Sequence, residues 1–304
     1  MTRGGESRLS QSSMRVTCPF SSPAYLGGLA HLGEVEVHPV RSVAVLKRPI
    51  PGTAHHDGVG PWPYRWISAP EDVEALCEGF RNLVTLTVVT QPGWRPPKTS
   101  GRDVRLLKQH FVFDPSLPTP ELSRRSRNRL RKAERIGDFE VVTDPAGRLA
   151  IAEMYERLKA RRNLLGGFFD LPRHHFTTIA ALPNAVFFRV THPEGIGAMA
   201  CGIVIDDFLQ VLHMVTTESG LTWNASYLLM KGLQDEARAS GLRLLTGGMP
   251  ASGSDGLRRF KVRWANAFLP VHLLCIVNDP ATYVALSGAR RQQTRFFPAY
   301  RDAT

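Results

Sequence analysis

WNASYLLMKGLQDEARASGLRLLTGGMPASGSDGLRRFKVRW, residues 223–264, is the stretch whose reading decides the fold. Ala225, Leu228, Leu229, Leu233 and Ala237 recur at helical spacing, so one face of a helix is buried. Gly241 follows as its stop. Residues 242–246 form a short strand that runs straight into Gly247-Gly248-Met249-Pro250. Two glycines at the carboxyl end of a strand let backbone approach a ligand closely, or take a conformation closed to other residues. Gly256-Leu257-Arg258-Arg259-Phe260-Lys261-Val262-Arg263-Trp264 then places four cations around two aromatics on a further helix. Ligands of α/β sheets gather at the carboxyl ends of strands. The segment therefore reads as one wall of a site for an anionic group.

Upstream, Asp144-Pro145 is an N-cap followed by a first-turn proline. Ile151, Met154, Tyr155 and Leu158 give the helix it opens an apolar face. A second helix is expected over 172–182 and three strands over 185–192, 198–205 and 208–216. The short connections Pro193-Glu194-Gly195 and Asp206-Asp207 make those strands antiparallel neighbours. With the Trp223 helix, the Thr246 strand, the Lys261 helix and a strand at Val271, the order is that of an α+β lobe, a mixed sheet flanked by helices. The first part of the chain offers a strand at 42–48, a loop at 49–64 rich in Pro, Gly, His and Trp, a helix at 70–80, and strands at 82–89 and 104–113. Val73, Leu76 and Cys77 share one face of that helix. No repeat by residue identity links the two parts.

Between them, Arg124, Arg125, Arg127, Arg129, Arg131, Lys132 and Arg135 crowd one segment closed by Gly137. Leu122, Ser126, Leu130 and Ala133 supply only a thin packing stripe. Like charges three and four apart repel, and arginine suits phosphate bidentately. The segment reads either as a helix that meets a polyanion or as a solvated linker helix.

The chain has 304 residues, 43% of them hydrophobic, enough for two domains of ordinary size. No apolar run approaches the ~20 residues a spanning helix needs. Residues 1–13 are polar with no hydrophobic core, so a secretory signal is not expected and 1–15 reads as a disordered leader. Cys18, Cys77, Cys201 and Cys275 lie far apart in sequence, which fits free thiols in a reducing cytoplasm. The net charge of +11 favours phosphate-rich polymers or anionic membranes as partners.

The run Gly-Leu-Arg-Leu-Leu-Thr-Gly-Gly at 241–248, followed by Gly-Leu-Arg-Arg-Phe-Lys at 256–261, resembles the Fem-type branch of the GNAT-like acyltransferases. That branch includes the peptidoglycan bridge aminoacyltransferases and related tRNA-dependent peptide-bond-forming enzymes. The resemblance extends over residues 106–277. It implies two GNAT-like lobes joined by a basic helix: an acceptor-side lobe at 16–120, the helix at 121–137 and a catalytic lobe at 138–304. It implies an amide-forming N-acyltransferase with aminoacyl-tRNA as co-substrate, a small amine or peptide as acceptor, and no bound cofactor. A transferase using an acyl-CoA or carrier-protein thioester is the alternative, and a non-catalytic GNAT-like RNA-binding module a third reading.

Residue by residue, the resemblance puts Lys261 near the transferred carbonyl, where its charge would stabilise a developing oxyanion. A surface lysine on an amphipathic helix is the plainer reading. Arg258, Arg259 and Arg263 would meet acceptor-end phosphates beside Gly247 and Gly248, and Arg124, Arg127, Arg131 and Arg135 would hold RNA further out. In related proteins the first lobe helps to bind the acceptor, which selects Asp57, Trp62, Tyr64 and Arg65. Asp170, in Gly166-Gly167-Phe168-Phe169-Asp170, reads as part of an acceptor lid or as a loop N-cap. His213 is either a general base or a hydrogen-bonded core histidine. His55, His56 and Asp57 lack a second ligand cluster, so no metal is expected. His174 and His175 are helix neighbours that face different ways. Where CoA-dependent relatives carry a glycine-rich pyrophosphate loop, residues 218–225 hold one glycine and the bulky Trp223. That argues against acetyl-CoA.

Overall fold

The computed structural model describes residues 18–38, 43–96, 103–249 and 255–302. The chain divides into two compact units, one holding His110–Leu269 and the other Thr17–Gln109 with Pro270–Thr304.

The discontinuous unit opens with α1 (Pro23–Gly27), whose N-cap Ser22 accepts a hydrogen bond from the Tyr25 amide at 3.2 Å. Strands β1 (Glu34–Val37), β2 (Ala44–Pro49) and β3 (His56–Val59) form an antiparallel run. Helix α2 (Pro70–Gly79) carries the chain over to β4 (Thr85–Val89), which lies parallel to β3. Parallel neighbours need such a crossover. Strand β5 (Asp103–Phe113) contains the step Gln109–His110 at which the chain leaves this unit.

The continuous unit then builds α3 (Arg124–Ile136), β6 (Asp138–Val141), α4 (Pro145–Arg162), α5 (Arg173–Ala181), β7 (Ala185–His192), β8 (Gly195–Ile205) and β9 (Phe208–Thr216). Strands β6 to β9 are an antiparallel meander. The short α6 (Glu218–Thr222) and the long α7 (Ala225–Ala239) lead to β10 (Arg243–Gly248), parallel to β9. The end of β5 pairs antiparallel with β10, Phe113 opposite Leu244. Helix α8 (Asp255–Trp264) follows, and β11 (Ala267–Val277) returns the chain at Leu269–Pro270 to pair antiparallel with β4. Helices α9 (Pro280–Ser287) and α10 (Arg290–Gln293) finish it.

The two units share a connectivity that residue identity does not reveal. In one, β2 and β3 are antiparallel, α2 crosses to a parallel β4, and β11 adds antiparallel. In the other, β8 and β9 are antiparallel, α7 crosses to a parallel β10, and β5 adds antiparallel. The mixed sheet flanked by helices expected from the sequence is therefore present.

The core of the continuous unit gathers Leu229, Leu233 and Ala237 of α7 with Phe188, Val190, Ala198 and Ala200 of the meander. Leu130 and Ala133 of α3 belong to the same core. Removing the side chain of a fully buried leucine such as Leu233 costs about 2–5 kcal/mol, so α7 is fixed mainly by this face.

Three sequence expectations are corrected. The basic helix does not join two lobes: its apolar stripe packs inside the continuous unit. The chain changes unit inside β5 and β11, at 109–110 and 269–270 rather than at 120 and 138, because the end of β5 pairs with β10 and the end of β11 with β4. The loop expected at 49–64 contains β3. The leader at 1–15 lies outside the described residues.

Candidate functional site at the open end of the parallel pair

Strands β9 and β10 pair only at Phe208–Arg243, Leu209–Leu244 and Gln210–Leu245. Both continue beyond that ladder, β9 to Thr216 and β10 to Gly248. The cause lies in β9. Its register against β8 steps from Val211–Gly202 to His213–Cys201, leaving Leu212 as an extra residue. Such a bulge bends a strand and increases its local twist, here where β9 departs from β10.

The rim of this wedge on the β10 side is Gly247-Gly248. Gly247 has φ +80°, a left-handed conformation that suits glycine. A Cβ there would lie 3.3 Å from Lys261 Nζ. Lys261, half-buried on α8, donates from Nζ to the Gly248 carbonyl oxygen at 2.8 Å. The structure thus brings together Lys261, Gly247 and Gly248, a cation held at a strand end by a backbone carbonyl.

Beside them, Tyr227 of α7 links the two basic segments. Its hydroxyl accepts hydrogen bonds from Arg263 Nη1 of α8 at 2.9 Å and from Arg129 Nη1 of α3 at 3.0 Å. Both guanidinium groups also stand over the phenol ring, 5.4 and 5.8 Å from its centroid. Phe260 and Trp264 pack their rings against the same tyrosine, at 5.8 Å each. Lys132 Nζ donates to the Thr222 carbonyl at 3.0 Å. Arg124, Arg125, Asn128, Arg129, Lys132 and Asn224 line an open groove of about 560 Å³ on this side of α3.

Of the RNA-facing residues expected on α3, Arg124 therefore lines this groove. Arg131 and Arg135 line another one, with Asn128 and Glu134. Arg127 donates to the Leu122 carbonyl, off the Tyr227 flank. Arg258 and Arg259 are exposed on α8. Arg129 and Lys132 stand in the basic cluster of the sequence but are not among the expected site residues, and Tyr227 has no place in that expectation. Helical spacing alone sets positions 129 and 132 on one flank of the Ser126–Leu130–Ala133 stripe, a signal the sequence did contain. That this flank faces Tyr227 is tertiary information.

The link from β9 to α7 is not a glycine-rich cradle: residues 218–225 hold Gly220 as their one glycine. Thr217 caps α6, accepting from the Gly220 amide at 3.0 Å. Trp223 then turns inward, 8% exposed. Its indole lies where a Cβ on Gly197 would collide with it, so Gly197 is the space the ring occupies.

The remaining expected site residues fall elsewhere. His213 is a core histidine: its Nε2 lies 2.9 Å from Nε2 of His175, and Tyr155 and Phe176 pack against its ring. Burial first, and then His175, push its pKa well below that of a free imidazole. A ring sealed in this way does not reach an acceptor amine. His175, read from the sequence as uninformative, is its partner, because α5 lays that face on β9.

Asp57 is also internal. Its carboxylate, 1% exposed, accepts from Arg48 Nε at 3.0 Å, from Arg301 Nε at 2.5 Å and from the Tyr300 hydroxyl at 3.3 Å. Tyr64 is buried, which raises its phenol pKa. Arg65, buried as well, donates to Ser21 Oγ at 2.5 Å. Trp62 is partly exposed beside them in sequence. These residues build the interior of the discontinuous unit, so Asp57, Tyr64 and Arg65 do not present the acceptor-binding surface expected of them. Asp170 accepts from Lys159 Nζ at 2.9 Å and from the Gly166 amide at 2.9 Å, closing its own loop.

The sequence matches no family model and no curated protein. Solved structures do match in shape. FemX aligns at TM-score 0.57 with 13% identity over 85% of this chain and 92% of its own. The C-terminal domain of a putative lysylphosphatidylglycerol synthetase from Agrobacterium fabrum aligns at 0.54, with 16% identity over 87% of this chain and 90% of that one. L-PGS from Bacillus licheniformis gives 0.54 and 14% identity, over 86% and 89% of the two chains. The fold is Fem-like. The resemblance expected from 241–248 and 256–261 thus holds for the fold, across both units of the chain. Among the described residues no helix is long and apolar enough to cross a membrane.

Proposed function

We propose that this protein is an N-acyltransferase that forms an amide bond, with an aminoacyl-tRNA as donor and a small amine or peptide as acceptor. The observation that carries the reading is the meeting of Arg129 and Arg263 at one Tyr227 hydroxyl. Two cations drawn onto one neutral group repel each other, and an anion between or beside them relieves that repulsion. The groove at Arg124, Arg125 and Lys132 extends the same charge away from the wedge. A polyanion whose reactive end reaches Lys261 while its phosphates follow α8 and α3 fits this layout. Arginine contacts of this kind position a nucleic acid without reading its sequence.

Aminoacyl transfer from an ester to an amine needs a neutral amine, an aligned carbonyl and a stabilised oxyanion. No protein nucleophile is required. Lys261 Nζ, held by the Gly248 carbonyl, is the group we assign to the oxyanion. The acceptor amine attacks the ester carbonyl carbon, negative charge builds on its oxygen beside Nζ, and collapse expels the tRNA 3′-terminal oxygen, which takes up the proton that the amine loses. The segment between β9 and α7, filled by α6 and Trp223, disfavours a CoA pyrophosphate.

The test is donor consumption. Purified protein is incubated with aminoacylated tRNA and, separately, with acyl-CoAs, in the presence of a panel of amines. Amine-dependent deacylation of tRNA is expected. Amine-dependent release of free CoA, with tRNA untouched, would replace the proposed donor by a thioester.

A further inference from the structure

The connection between α4 and α5 carries a feature that the proposed transfer does not use. Leu165, Phe168 and Phe169 are 65%, 46% and 42% exposed, three large apolar side chains within five positions. Singly exposed apolar residues are ordinary, whereas a cluster of them marks an interaction surface. The two phenyl rings stand edge to face, 5.1 Å apart.

The loop backbone is nevertheless firmly held. Asn163 adopts a left-handed conformation, φ 52°, at the end of α4. The Tyr155 hydroxyl donates to the Phe169 carbonyl at 2.9 Å. Lys159 Nζ, on a residue 6% exposed, reaches Asp170 Oδ1 at 2.9 Å and the Leu171 carbonyl at 3.2 Å. Asp170 Oδ2 closes the turn onto the Gly166 amide, and Leu171 plugs the base at 1% exposure. Leu171 goes inward while Leu165, Phe168 and Phe169 are displayed on a backbone already fixed, so little ordering remains to be done on binding.

Charge selects the occupant. The loop's own carboxylate, Asp170, pairs with Lys159, which also pairs with Glu156. Arg161 and Arg162 stand in the last turn of α4 and Arg173 opens α5. Glu153 faces Arg173 at 3.7 Å, Arg161 donates to the Thr216 carbonyl at 2.9 Å, and no carboxylate pairs with Arg161 or Arg162 among the described residues. An apolar tip on a cationic base matches the boundary of an anionic bilayer. There the acyl region accepts leucine and phenylalanine, and the phosphates attract arginine. We propose that residues 163–173 dock this protein reversibly on an anionic lipid surface.

The test is co-sedimentation with vesicles of phosphatidylcholine alone and of phosphatidylcholine with phosphatidylglycerol in equal parts. The wild-type chain is expected to pellet with the anionic vesicles and far less with the neutral ones, and to be released by high salt. The variant carrying Leu165→Ser, Phe168→Ser and Phe169→Ser is expected to lose about tenfold or more in partitioning. Its fold should be retained, read as an unchanged far-ultraviolet circular dichroism spectrum, because the loop is held by backbone, Tyr155, Lys159 and Asp170 hydrogen bonds that the variant keeps. Arg162→Glu keeps the apolar tip and is expected to weaken binding to the anionic vesicles selectively. Wild-type protein that stays in the supernatant with anionic vesicles overturns the proposal. So does equal binding to neutral vesicles, a triple variant that pellets like wild type, or a loop-dependent dimer without vesicle binding. None of these outcomes depends on transfer activity.

Discussion

Arginine is used in opposite ways in the two units. In the discontinuous unit Arg48 and Arg301 enclose the buried carboxylate of Asp57, which offsets one of their two charges within the protein. In the continuous unit Arg129 and Arg263 enclose a neutral phenol, and their charge is left over. In both clusters two guanidinium groups donate to one side chain. What separates them is the sign at the centre. A carboxylate makes the cluster a structural clasp, whereas a neutral hydroxyl offsets neither charge, and on the proposed function the donor's phosphates would do so. A net charge of +11 says nothing about where the excess lies. This contrast locates part of it beside the wedge of β9 and β10.

The largest expected effect tests the clasp. Asp57→Ala leaves two guanidinium groups facing each other across a buried gap. Removing one member of a buried ion pair costs about 3–5 kcal/mol, and the partial exposure of Arg48 and Arg301 puts the expected loss near the lower end. Denaturant unfolding should show this as a clear drop in midpoint. A change below about 1 kcal/mol would mean that solvent already answers these arginines, and the contrast between the units would fail.

Next in size is Lys261. Lys261→Met keeps helix propensity and the aliphatic stem but removes the cation at Gly248. Removing one preorganised oxyanion donor costs ~100-fold or more in rate, and the loss should fall on single-turnover transfer rather than on donor affinity. Lys261→Arg is expected to fail as well, since a planar fork does not replace a point charge at one atom. Near wild-type turnover by the methionine variant would remove Lys261 from the chemistry.

The elements that the sequence made legible are those whose cause is local. The Ala225–Ala237 periodicity, the Asp144-Pro145 start and the meander turns each report a choice made within a few residues, and α7, α4 and β7 to β9 stand where they were expected. Lys261 beside Gly247-Gly248 was legible for the same reason: strand, glycines and basic helix are close in sequence. Asp57 was misread because its partner Arg301 lies far along the chain. His213 needed His175, which only the packing of α5 on β9 supplies. The short β1, β3 and β6, four residues each, carry too few positions for a period to register. The common connectivity of the two units is invisible residue by residue because topology constrains only which positions are apolar.

A smaller effect sharpens the contrast within α3 itself. Neutralising Arg125, Arg129 and Lys132 to glutamine removes the flank that meets Tyr227 and its groove. Neutralising Arg127, Arg131 and Arg135 removes the same formal charge from other parts of the helix. With tRNA as ligand, the first variant should lower the salt slope by roughly one unit per lost phosphate contact and weaken binding about tenfold or more. The second should do markedly less. Equal effects would mean that only total charge matters.

The gentlest test concerns the buried imidazole pair, and its sign follows from linkage. His213 has a folded-state pKa well below the ordinary value, chiefly through burial and then through His175. In the unfolded chain it titrates near 6.5. Above that pH both states carry a neutral ring, and His213 makes stability independent of pH. As the pH falls below about 6.5, the unfolded chain takes up a proton that the folded one refuses, so stability is lost on acidification, approaching ~1.4 kcal/mol per pH unit for this one group. His213→Asn or His213→Gln should flatten that segment of the stability–pH curve, whatever it costs in absolute terms. Melting curves at intervals from pH 7.5 down to about 5 read the slope directly. A wild-type slope of zero or of the opposite sign would mean that the pair takes up a proton in the folded state. That would reopen His213 as a group able to exchange protons with a substrate.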